Sequence, residues 1–135
     1  MILPDSSAWV EFLRGSASPL HRTLRTLVEQ DADLVASEVV VMDLLAGART
    51  DADLATIRET LLEYPIVPLL GLQGYEEAAR IYRICRAAGE TIRKMTDCLI
   101  AAVAIRAGAT LLHGDRDFDV IARHTELQIE PVEAP

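Results

Sequence analysis

Five short apolar runs punctuate this chain, and helix-spaced stretches separate them: Met1–Pro4, Leu34–Ala36, Ile66–Leu70, Thr110–His113 and Leu127–Ile129. Leu20, Leu24, Leu27 and Val28 fall on one helical stripe, as do Tyr75, Ala78, Ala79, Tyr82 and Cys85. Strands that alternate with helices form a parallel sheet, and the crossover helices cover its two faces. The fold class read from this order is α/β, with a short-stranded parallel sheet. Ligands of such sheets sit beyond the carboxyl ends of the strands. That points to Asp5, directly after the first run, and to the acids from Asp115 onward, just after the fourth.

Local punctuation sharpens the reading. Ser6 or Ser7 caps a first helix through Arg14, and Pro19 opens a second. Ser37 caps a helix to about Arg49. Thr50 and Asp51 open another, with Leu54, Ile57, Leu61 and Leu62 as its face and Pro65 as its end. Gly71 to Gly74 make a turn, and Gly89 stops the helix that follows. Thr96 caps a helix with Asp97 in its first turn. The body of that helix, Cys98–Ile105, is apolar all round, which places it at the centre of the fold.

A chain of 135 residues suits one domain, expected to span 1–135. Its longest apolar run falls far short of the ~20 residues of a membrane span. Residues 1–14 carry Asp5 and Glu11 and no basic leader, so no secretory signal is expected. Cys85 and Cys98 are too few for a disulfide framework and read as small core residues. The expected compartment is reducing and cytoplasmic. The net charge of −8 argues against a simple coat for nucleic acid. It does not exclude a nuclease, because acids that hold a cation count as negative in sequence arithmetic. The 13 basic residues are 12 Arg and one Lys.

Asp43 is the most telling acid. Aspartate is a poor helix-interior residue. Its neighbours at three and four residues are Val39, Val40, Ala46 and Gly47, and no base stands there to pair with it. A bound cation would remove the cost of such a carboxylate. Asp97 stands at the mouth of a helix read as buried. Asp115, Asp117 and Asp119 follow a strand, and the apolar Phe118, Val120 and Ile121 dock part of that segment on the core. The donor set is all oxygen, which suits Mg²⁺ with Mn²⁺ as a substitute. His21, His113 and His124 show no zinc-hydrolase spacing. His113 lies close enough to Asp115 to touch the edge of the site. Asp115, Asp117, Asp119 and Glu126 match EF-hand positions, but Val120 stands where that loop needs glycine. An Asp-x-Asp phosphatase would leave Asp43 unexplained.

Taken together, Asp5-Ser-Ser-Ala-Trp9, Met42-Asp-Leu-Leu-Ala-Gly47, Thr96-Asp-Cys-Leu-Ile-Ala-Ala102 and His113-Gly-Asp-Arg-Asp-Phe118 resemble the motifs of a PIN-domain ribonuclease. Their order and the chain length are similar to those of VapC-type toxins. The resemblance implies a PIN-like α/β/α sandwich and Mg²⁺-dependent cleavage of structured RNA, of the tRNA or rRNA class, by an activated water. Products with 5′-phosphate and 3′-hydroxyl ends are then expected. It also implies a homodimer restrained by a VapB-like antitoxin, with no membrane role. Carried over by residue, the metal and catalytic acids are Asp5, Asp43, Asp97 and Asp115, with Asp117 at the margin. The family usually has Glu where Asp43 stands, a loss of roughly 1.5 Å of reach. His113 replaces a frequent hydroxyl residue, and Pro4 is unusual in a first strand. The Asp43 departure is the best support for the alternative, a non-catalytic PIN-like module that binds nucleic acid or protein. The antitoxin is expected to insert a cation among Asp5, Asp97 and Asp115. A helix of it would cover a groove beside Trp9-Phe12-Leu13 or Leu44–Ala48.

Overall fold

The computed structural model describes residues 1–134. β1 (Ile2–Pro4) pairs in parallel with β4 (Thr110–Leu112), and β5 (Gln128–Ile129) pairs with the far side of β4. β2 (Ala36–Ser37) pairs in parallel with β3 (Ile66–Val67). A single parallel bridge from Ile2 to Leu34 joins the two groups, so the spatial order is β3-β2-β1-β4-β5. Ile2 N–H donates to Asp33 O at 2.8 Å, while Asp5 N–H donates to Leu112 O at 2.9 Å. Alternate residues of β1 thus face alternate neighbours. The missing N–H of Pro4 falls on the β2 side, where pairing has already lapsed, and this is why a proline is tolerated there.

Seven helices accompany the strands among the described residues: α1 (Ser6–Arg14), α2 (Pro19–Glu29), α3 (Glu38–Ala46), α4 (Asp51–Leu61), α5 (Leu72–Ala87), α6 (Met95–Ala107) and α7 (Arg116–His124). With the parallel sheet they make the α/β/α sandwich expected of the sequence. α6 packs against α3, α5, α7 and β4. Its Cys98, Ile100, Ala101, Ala102, Val103 and Ala104 are all buried, which matches its all-round apolarity. Leu3, Trp9, Leu24, Leu111, Leu112, Phe118 and Ile121 join the same core cluster. Cys85 and Cys98 are free thiols within it.

Several local expectations are corrected. The cap of α1 is Asp5, whose Oδ1 accepts from the Ala8 N–H, while the Ser6 and Ser7 hydroxyls are engaged with Asp43 and Asp5. The residue before α6 is Lys94, two positions earlier than a Thr96 cap allows, so Asp97 lies deeper in the first turn. α3 ends at Ala46 and not near Arg49. Of Ile66–Leu70 only Ile66 and Val67 pair, and Leu70 and Gly71 then turn the chain with positive φ. On α4 only Leu61 is fully covered, while Leu54 and Leu62 stay exposed. Trp9 is completely buried, with Phe12 edge-on at 5.5 Å, so Trp9 closes the core and does not itself line a groove.

Candidate active site

The chain passes from β3 on one side of β1 to β4 on the other, so the topological switch lies between β1 and β4. A cleft of about 320 Å³ opens there, lined by Asp5, Ser6, Ser7, Asp43, Lys94, Thr96, Asp97, Ile100 and Asp115. Four acids expected from the sequence therefore share one cavity, at the place where doubly wound sheets bind ligands.

Asp5 is buried, only 3% exposed. Its Oδ1 accepts from Ala8 N–H at 3.0 Å and from the Ser7 hydroxyl at 2.6 Å. Burial raises its pKa above the ordinary value, against the opposing pull of the Ser7 and Ala8 bonds. Ser7 Oγ also accepts from Gly114 N–H at 2.9 Å, tying the end of β1 to the loop after β4. Asp5 is at once the cap of α1 and a wall of the cleft.

Asp43 is half-buried. Because α3 ends early, it sits in the last turn, where Gly47 N–H bonds its carbonyl. An anion there faces the negative end of the helix dipole. No base offsets this; the side chain is held by the Ser6 hydroxyl, which donates to Oδ2 at 3.0 Å.

Asp97 is 6% exposed, and its Oδ2 is fully buried with no hydrogen-bond partner. Burial, reinforced by the charge of Asp115, pushes its pKa from 3.8 up to about 7, with Lys94 pulling the other way. An orphaned buried carboxylate oxygen is costly unless something else satisfies it.

Asp115 caps α7 by accepting from Asp117 N–H at 3.0 Å. Arg93 clamps both acids: Nη2 reaches Asp115 Oδ1 at 3.0 Å, and Nε reaches Asp117 Oδ2 at 3.0 Å. The Arg93 backbone N–H adds a third bond to Asp117 Oδ2 at 3.2 Å. Burial alone would raise Asp117, yet the Arg93 bonds hold its pKa below the ordinary value. Asp117 does not line the cleft with the other four. His113 Nδ1 accepts from Asp115 N–H at 3.0 Å, and its Nε2 lies 3.2 Å from exposed Asp119. This pairing requires the ring proton on Nε2, donated to the carboxylate. His113 thereby positions the backbone of Asp115.

Ligand atoms of Asp97, Asp115 and Asp117 lie within 4.8 Å of one another. An all-oxygen donor set, a crowd of like charges and one orphaned buried oxygen fit a hard divalent cation. Sequence reasoning missed three parts of the frame: Ser6, Ser7 and Arg93. Both serines were legible only as helix caps, and nothing in the spacing of Arg93 announces its tie to Asp115 and Asp117, 22 and 24 residues on.

Residues 2–124 match the family model of the PIN domain. The chain is 44% identical over 129 residues to Ribonuclease VapC11 of Mycobacterium tuberculosis, covering 95% of this chain and 96% of that protein. VapC ribonuclease Mb1587 of Mycobacterium bovis matches at the same level. Among solved structures, VapBC2 from Rickettsia felis bound to a promoter DNA fragment superposes with a TM-score of 0.74 at 19% identity, over 96% of this chain and 98% of the other. By both family model and relatives, the chain belongs to the PIN-domain family, as a member similar to the VapC ribonucleases.

Proposed function

We propose that this protein is a divalent-cation-dependent endoribonuclease of the VapC type, the toxin of a pair with a VapB-like antitoxin. One observation carries the reading: Asp5, Asp43, Asp97 and Asp115 share a single cleft in which a buried oxygen of Asp97 has no partner. The names of the 44% identical relatives support ribonuclease chemistry. The complexes among its structural neighbours, such as VapBC-1 from nontypeable Haemophilus influenzae, support an antitoxin partner. A non-catalytic module gives no reason to keep that oxygen unpaired.

Asp5, Asp97 and Asp115 would hold the ion, Mg²⁺ with Mn²⁺ as a substitute, and Asp43 would reach it less directly. When bound, the ion supplies Lewis acidity toward a phosphate and toward water. The protein's own contribution is orientation. Ser7 fixes Asp5 against the loop at Gly114, Ser6 aims Asp43, and Arg93 with His113 fixes Asp115. Asp117, whose Oδ2 takes both Arg93 bonds, anchors its neighbour and stays at the margin of the ion site. Hydrolysis by water spares the neighbouring 2′-hydroxyl, so products carry 5′-phosphate and 3′-hydroxyl ends. Structured RNA of the tRNA or rRNA class is the substrate we assign. The chain reads as one PIN-like domain over 1–135, acting in the cytoplasm. It pairs as a homodimer, for which exposed Leu70 and Tyr75 beside Met42 offer apolar surface. Among the described residues no helix is long and apolar enough to cross a membrane.

Incubation of the purified chain with total RNA tests this. Cleavage is expected with Mg²⁺, and none is expected with a chelator or for Asp97→Asn. Equal cleavage in chelator would overturn the reading.

A further inference from the structure

The only lysine of the chain stands in the acid cleft. All twelve other basic residues are arginine, so Lys94 is the exception in its own sequence. It is also badly placed for stability. It occupies the cap position of α6, makes no side-chain capping bond there, and puts a cation at the positive end of a helix dipole. Ser, Thr, Asp or Asn would serve the helix better at that position. A local rule broken without a structural gain marks a residue kept for function.

Its surroundings say what that function is. Arg93, next in the chain, is committed to Asp115 and Asp117. Lys94 is exposed and takes part in none of the ion pairs among the described residues. Its charge is nevertheless felt by Asp97. Four carboxylates line the cleft, and one divalent ion leaves that wall with two net negative charges. A phosphodiester brings a further negative charge to the same place. A mobile cation on a flexible stem, free of other partners, offsets the repulsion where the phosphate must sit.

Resting on the ribonuclease reading above, we propose that Lys94 is a substrate-contacting residue whose ammonium binds a phosphate oxygen of the RNA strand in the cleft. The ion and the lysine then answer different charges: the acids recruit the cation, and Lys94 recruits the anion. Removing Lys94 should therefore move the two affinities in opposite directions. A residue serving only the start of α6 would lower both.

The test uses the full chain. Binding of a fluorescein-labelled RNA hairpin is measured in Mg²⁺ against a salt series, with the non-cleaving Asp97→Asn protein as the background. Adding Lys94→Gln is expected to weaken binding roughly tenfold and to make the plot of log affinity against log salt shallower by about 0.7, the slope of one phosphate contact on single-stranded RNA. Lys94→Arg is expected to keep the slope. Calorimetry with Mn²⁺, on proteins with Asp97 intact, is expected to show tighter metal binding for Lys94→Gln than for the natural chain. Unchanged RNA affinity and slope in Lys94→Gln would overturn the proposal, and so would a joint loss of RNA and Mn²⁺ binding. Absence of any metal-dependent cleavage of the hairpin by the natural chain, with Asp97 intact, would overturn the ribonuclease reading itself, and this proposal with it.

Discussion

A single atom, Asp97 Oδ2, gives the clearest prediction at the residue scale. The native pKa of Asp97 is about 7, against an ordinary 3.8, so the folded state holds that proton more tightly than the unfolded chain. Its contribution to stability is complete below pH 3.8 and is lost as pH rises through about 7. Asp97→Asn, which removes a buried charge, should therefore stabilise the metal-free protein at pH 8 by about 2 kcal/mol and leave it nearly unchanged near pH 4. Urea unfolding at the two pH values checks this, and an equal effect at both would contradict it. Asp43 gives the second prediction. Asp43→Asn keeps the Ser6 contact but loses the charge, and its cleavage rate should fall by 10²-fold or more, a loss on the scale of one catalytic electrostatic contact. Asp43→Glu restores reach and should stay active; single-turnover rates decide. The acids themselves were legible in sequence because aspartate is costly at helix interiors and beside apolar runs. Their holders were not, because a serine that caps and a serine that aims a carboxylate look alike before the chain folds.

Elements were read well where local chemistry alone decides them. Ser37 and Thr50 each cap a helix with a side-chain bond, and Pro19 opens α2. Reading failed where tertiary packing overrides local preference: Lys94 precedes α6 without capping it, and Ile66–Leu70 yields only two paired residues. The turn after β3 shows why the strand stops. A Cβ added at Gly74 would lie 2.1 Å from the Leu69 carbonyl oxygen, so the first turn of α5 must press backbone to backbone against the segment leaving β3. That carbonyl also accepts from Arg106 Nη1 at 2.8 Å, which leaves it little room to retreat. Gly74→Ala should therefore cost about 2 kcal/mol or more in chemical denaturation, within the range of overpacking. A neutral result would mean that the turn is soft and that α5 is free to shift.

At the scale of the whole molecule, the strand order carries the argument. It puts the ends of β1 and β4 side by side and brings acids from four separate elements into one cleft. The sequence indicated parallel strands but not their order, and only the order explains why Asp5 and Asp115, 110 residues apart, face one another. The same cleft offers a route for the restraint by an antitoxin proposed above. Arg93 already shows a guanidinium bridging Asp115 of the cleft and Asp117 beside it, and an antitoxin Arg or Lys inserted among Asp5, Asp97 and Asp115 would extend that pattern. Such a complex should weaken with salt and with Mg²⁺. Co-purification with the product of the adjacent gene, followed by Mg²⁺ titration of RNase activity, checks this; binding that leaves cleavage uninhibited would contradict it. The central claim, that these acids form one cation site, is tested most directly by anomalous scattering from crystals soaked in Mn²⁺ at a concentration that supports RNA cleavage. The account predicts an ion in the cleft touching Asp97 and at least one of Asp5 and Asp115. A protein that cleaves RNA under those conditions with no ion between these side chains would contradict it.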